Sequence, residues 1–75
     1  MNLKWAWHST LRNGEELFYI INDDIFGDWV ATIIKDGEEK FRFNSIDFRV
    51  LSGRPLSHFS SMKEICAYIK IARDI

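Results

Sequence analysis

The chain has 75 residues, 47% hydrophobic and 15% aromatic, with 10 basic and 11 acidic side chains and a formal net charge of −1. That length holds one domain, and the apolar fraction with 4 Gly and 1 Pro excludes a disordered segment. Cys66 stands alone, which excludes an intramolecular disulfide and favours a reducing, cytoplasmic setting.

Turn residues divide the first two-thirds of the chain into strand-length pieces. Asn13-Gly14 separates a strand over 3–11 from one over 16–22, and loops of two or three residues fit this hairpin equally. A polar-edged loop, Asn22 to Gly27, leads into a strand over 28–35. Asp36-Gly37 then opens a fourth strand over 38–51.

Trp29, Ala31 and Ile33 alternate onto one face, as do Phe41 and Phe43. A three-residue loop, Lys35-Asp36-Gly37, joins these sets on one face by placing Ala31 opposite Phe41 and Trp29 opposite Phe43. After Phe43 the alternation changes phase, to Ile46, Phe48 and Val50. A bulge near Asn44-Ser45 in one long strand restores the face; the alternative is a tight turn into a fifth strand.

Ser52-Gly53-Arg54-Pro55 is a loop by composition, and a helix follows over 61–73. Ser61 and Glu64 have capping-box spacing, and Met62, Ile65, Cys66, Ile69 and Ala72 recur at helical period. The expected fold is α+β: an antiparallel meander of four strands, or five, packed on one face by this helix. Its expected core is Trp29, Ala31, Ile33, Phe41, Phe43, Phe48, Ile65, Cys66 and Ile69.

The charge is unevenly spread. Residues 1–14 carry +2, residues 15–47 carry −6 and residues 48–75 carry +3. Asp23, Asp24 and Asp28 crowd the second loop around Phe26, and Glu38 and Glu39 follow the next turn. Solvated turn chemistry explains such carboxylates. They also suit docking on a basic partner, with Phe26 as an apolar anchor and Glu38 and Glu39 at the rim. A calcium loop would need regular ligand spacing and a closing Glu, which are lacking.

Three other surfaces compete. Tyr68, Ile71 and Ile75 form a second apolar line on the helix, either a wide core face or a self-association contact. Lys40, Arg42 and Arg49 mark the polar side of the fourth strand and, with Lys35, could touch phosphates. Trp5 and Trp7 share a face of the first strand, as core or as a stacking platform.

His8 and His58 sit in no nucleophile or base motif, and with Cys66 they lack paired zinc spacing. No enzyme activity, metal or cofactor is expected. The start of the chain lacks the apolar core of a signal peptide, and the longest apolar run, 17–21, is too short to cross a bilayer.

Phe59-Ser60-Ser61-Met62-Lys63-Glu64-Ile65-Cys66-Ala67-Tyr68-Ile69 resembles the last junction of many small sheet-then-helix domains. Together with Trp29-Val30-Ala31-Thr32, Asp36-Gly37 and Phe41-Arg42-Phe43, the layout is similar to three-stranded DNA-binding domains of the integrase arm-binding and plant ethylene-response-factor types. That likeness implies major-groove contacts from Thr32, Lys35, Lys40 and Arg42. Asp28, Asp36, Glu38 and Glu39 would then approach the same phosphates and oppose binding.

In size, acidity and lack of active-site residues the chain also resembles phage and mobile-element inhibitors, anti-CRISPR proteins among them. The first expectation is therefore a non-enzymatic inhibitor or regulator that docks on a basic, nucleic-acid-handling host complex. A sheet-type DNA-binding domain is the alternative, and homodimer formation is compatible with either.

Overall fold

The structure, a computed structural model, describes residues 2–75. Four antiparallel strands lie in sequence order: β1 (Leu3–Thr10), β2 (Glu16–Asp23), β3 (Trp29–Lys35) and β4 (Glu38–Asn44). Helix α1 (Ser45–Ser52), a 3-10 turn (Leu56–His58) and helix α2 (Met62–Ala72) complete an α+β fold. No helix among the described residues is long and apolar enough to cross a membrane.

The first hairpin has a three-residue loop. The Leu11 amide donates to the Glu15 carbonyl at 2.8 Å and the Gly14 amide to the Leu11 carbonyl at 2.9 Å. Gly14, at φ 85°, supplies the left-handed residue that returns the chain into β2.

The second hairpin corrects the sequence expectation. Asp36-Gly37 forms a two-residue turn with both φ positive, which pairs Lys35 with Glu38. The phase change expected from a longer loop comes from a bulge at Lys40, the residue skipped as pairing passes from Ile34↔Glu39 to Ile33↔Phe41. Phe41 thus opposes Ile33, and Phe43 opposes Ala31. The common face survives with a different register.

The largest departure follows Phe43. The fourth strand ends at Asn44, and residues 45–52 are helix, neither a bulged continuation to residue 51 nor a fifth strand. Asn44 and Asp47 explain this with a reciprocal capping box. The Asp47 amide donates to Asn44 Oδ1 at 2.8 Å, and the Asn44 amide donates to Asp47 Oδ2 at 3.3 Å. Gly53 ends the helix in the left-handed conformation, its amide donating to the Arg49 carbonyl at 3.0 Å. Of Ile46, Phe48 and Val50, only Phe48 enters the core, because a helix turns about 100° per residue where a strand alternates.

α2 starts where expected. Ser61 Oγ accepts from the Glu64 amide at 3.2 Å, whereas the Glu64 carboxylate reaches one residue further back, to the Ser60 amide at 2.9 Å. One core forms between the sheet and the helices from Leu17, Tyr19, Ile21, Trp29, Ala31, Ile33, Phe43, Phe48, Ile65, Cys66 and Ile69. Phe41 is half-buried against it. β2 supplies three core residues because its odd positions face the helices, a face hidden in sequence by the unbroken apolar run Leu17 to Ile21.

Candidate functional site

The β2–β3 loop is short and internally bonded. The Asp24 amide donates to the Asp28 carbonyl at 2.6 Å and the Gly27 amide to the Asp24 carbonyl at 3.2 Å. Gly27 takes φ 78°, and Asp24 Oδ1 accepts from the Ile25 amide at 2.6 Å. These bonds tie the loop's backbone at both ends and send its central side chains outward. Ile25 is 80% exposed and Phe26 85%. Two large apolar side chains thus stand in solvent on a loop with a defined backbone.

The carboxylates around them differ in use. Asp23 lies 3.9 Å from the Lys4 ammonium, with both side chains about half exposed, so the pair holds weakly and can exchange for another cation. Asp28 is engaged: its Oδ1 accepts from the Trp29 amide at 2.8 Å and its Oδ2 from the Ser45 hydroxyl. It holds α1 against the loop.

Glu38 and Glu39 do not rim this loop. β3 runs its full seven residues between the Asp28 end and the Asp36-Gly37 turn, which separates the two groups by about 20 Å at strand rise. There Glu38 pairs with Lys40 at 3.1 Å and Glu39 with Arg42 at 2.6 Å. The length of one extended strand divides the two acidic groups.

The basic set is also dispersed. Arg49, expected on the fourth strand, lies on α1, since that segment is helical. Lys40 and Arg42 already face carboxylates, and Lys35 is half-buried. Among the described residues Lys35, Lys40, Arg42 and Arg49 form no continuous cationic stripe across the sheet.

The second apolar line of α2 is mostly covered. Tyr68 meets Phe48 and Phe59 edge-on at centroid distances of 6.1 and 5.4 Å, and Ile75 packs on the core. Ile71 alone remains exposed, at 79%. Trp5 and Trp7 are half-buried on the inner face; Trp7 stacks on Tyr19 at 4.9 Å, with the Lys63 ammonium 4.7 Å from its centroid.

His8 bonds to Glu16, and His58 contacts Arg54 at 2.6 Å. The His8 and Thr10 hydrogen bonds lower the Glu16 pKa below its ordinary value. Cys66 is fully buried, and burial pushes its thiol up to about 12, away from nucleophilic use. Among the described residues no group of three His, Cys, Asp or Glu side chains could hold a metal.

One surface was missed in the sequence. Ile46, Arg49, Val50, Gly53, Arg54 and Pro55 line a shallow cleft of about 440 Å³ on the outer side of α1. Ile46 and Val50 are 68% and 80% exposed there. The signal was their i, i+4 spacing, which a strand reading of residues 45–51 conceals.

Compared with known proteins, the chain matches no family model, no curated protein and no solved structure.

Proposed function

We propose that this protein is a non-enzymatic protein-binding module that docks through its β2–β3 loop. Ile25 and Phe26 are the apolar anchors, and Asp23 and Asp24 steer them toward a basic surface. The carrying observation is the exposure of those two side chains, 80% and 85%, on a loop closed by its own hydrogen bonds. An apolar pair held out this way costs little ordering entropy when a partner covers it.

The expected partner is a larger, nucleic-acid-handling complex in the cytoplasm, and occupying its basic surface would inhibit or regulate it. Direct DNA binding through Lys35, Lys40, Arg42 and Arg49 is the weaker reading. Lys40 and Arg42 would first have to leave Glu38 and Glu39.

The test is partner capture from the native host with Phe26→Ser, with Asp23→Asn/Asp24→Asn, and with Glu38→Gln/Glu39→Gln. The loop variants should lose what wild type captures, and the turn variant should retain it. Undiminished capture by both loop variants would overturn the reading. Binding to generic duplex DNA that weakens steeply with salt would favour the DNA-binding alternative.

A further inference from the structure

Beyond the β1–β2 turn the arginines divide into two pairs. Arg42 binds Glu39 at 2.6 Å, and the Arg73 guanidinium lies over the Phe41 ring at 4.2 Å. Arg49 and Arg54 have neither an ion pair nor a ring contact among the described residues. Both line the cleft on the outer side of α1.

α1 builds one wall of that cleft. Phe48 points into the core, so Ile46, Arg49, Val50 and Gly53, at helical spacings of three and four, share the opposite side. Asp47, the one carboxylate of this helix, accepts from the Asn44 amide and does not line the cleft.

The other wall is the segment after α1, and its backbone is fixed by its own bonds. The Arg54 amide donates to Ser52 Oγ at 3.1 Å, and the Ser52 hydroxyl donates to the Arg54 carbonyl at 3.2 Å. Behind it the His58 amide donates to the Pro55 carbonyl at 3.0 Å. Arg54 Nη1 donates to His58 Nε2 at 2.6 Å, which places the guanidinium without neutralising it.

We infer that this cleft docks an acidic segment of a partner protein. Its carboxylates lie on Arg49 and Arg54, and an apolar side chain beside them covers Ile46, Val50 and Pro55. Two guanidiniums with no carboxylate in the lining select an anion, and their planar forks match carboxylates. The rest of the lining selects the kind of anion. It is aliphatic and holds no aromatic ring, so the bases of a nucleic acid strand would have nothing to stack on. A small molecule is normally enclosed over roughly 70–90% of its surface, which a shallow cleft cannot do. A chain segment that mixes acidic and apolar side chains satisfies both halves of the lining. The chain's own acidic loop is a poorer match, since Asp24 already accepts from the Ile25 amide.

This site goes beyond the β2–β3 loop and does not depend on it. The Ser45–Asp28 bond sets the two side by side, because Ile46 follows Ser45 and the loop closes at Asp28. One end of the molecule thus presents an acidic, apolar loop next to a basic, apolar cleft.

Selection of a displayed library of random peptides on the immobilised full chain tests this, followed by amide NMR titration with the enriched peptides. Those peptides should carry Asp or Glu beside Leu, Ile or Phe, and the shifts should fall on residues 46–55. Replacing their Asp and Glu by Asn and Gln should abolish binding. Arg49→Ser/Arg54→Ser should weaken it about tenfold or more and keep the rest of the spectrum, since both side chains are exposed. Val50→Asp should weaken it too, and Glu38→Gln should not. Four results overturn the proposal: no enrichment, enriched peptides without acidic residues, shifts centred elsewhere, or undiminished binding by the arginine variant. It also falls if the cleft signals move with the chain's own concentration, which assigns the cleft to a second copy. Single-stranded DNA or phosphatidylglycerol vesicles moving them more than any peptide would transfer the site to phosphates.

Discussion

The Ser45 hydroxyl donates to the Asp28 carboxylate across 17 residues of sequence, fastening the first turn of α1 to the end of the β2–β3 loop. The other Asp28 oxygen accepts from the Trp29 amide at 2.8 Å, so this carboxylate is architectural although it sits among three loop aspartates. Asp28→Ala leaves two donors without their acceptor and should lower stability by about 1–3 kcal/mol. Asp23→Asn should shift it by no more than about 0.5 kcal/mol, as usual for exposed sites. Urea unfolding of the two variants checks the contrast, and equal stabilities would remove Asp28 from this role.

Phe48 is the residue through which α1 joins the core. It is fully buried and meets Phe43, Phe59 and Tyr68 at centroid distances of 6.0, 4.9 and 6.1 Å. Phe48→Ala removes those contacts together and should cost about 3–5 kcal/mol, enough to unfold much of so small a domain. Asn44→Ala, which removes only the cap, should cost about 0.5–2 kcal/mol. Denaturant midpoints measure both, and a Phe48→Ala loss no larger than that of Asn44→Ala would contradict this packing.

Glu16 and Glu64 define the acid limb. Their pKa values lie below the ordinary 4.5, Glu16 through the His8 and Thr10 hydrogen bonds and Glu64 through the Ser60 hydroxyl and amide. A depressed folded-state pKa contributes stability above the unfolded value, lost as pH falls through the folded one. The loss should therefore develop below pH 4.5. Side-chain carboxyl titration by NMR should place both midpoints under that value, and Glu64→Gln should flatten the limb.

Cys66 and Tyr19 govern the alkaline limb. Burial raises the Cys66 thiol from 9.0 to about 12 and raises the Tyr19 phenol above 10.0. Raised values contribute stability present below the unfolded pKa and lost as pH rises toward the folded one. Stability should therefore fall above pH 9, and Cys66→Ala should remove the part of the fall that begins there. In the native state Cys66 should resist thiol reagents at neutral pH and react fully once urea unfolds the chain.

Much of the fold is legible locally. Ser61 as a helix cap, Asp36-Gly37 as a turn and the alternation of Trp29, Ala31 and Ile33 all act within a few residues, so their pattern carries their structure. Asn44 and Asp47 belong to the same class and were just as readable. Ile46, Phe48 and Val50 fit a period of two over the same stretch, and that run concealed the capping box. Short apolar runs admit both periods, and capping chemistry arbitrates better than alternation does.

The candidate site was less legible, because it depends on which ends of strands meet. The order of residues by itself determined an antiparallel meander of four strands or five, a C-terminal helix, an aromatic core and a loop carrying Phe26 among aspartates, since each follows from periodicity and turn chemistry within a short window. Only the tertiary structure decided that Glu38 and Glu39 stand a strand's length away from Asp23 and Asp24, that Asp28 is committed to Ser45, and that Arg49 and Arg54 line one cleft. An extended strand puts about 20 Å between its two ends, so carboxylates that flank β3 in sequence stand at opposite ends of the sheet.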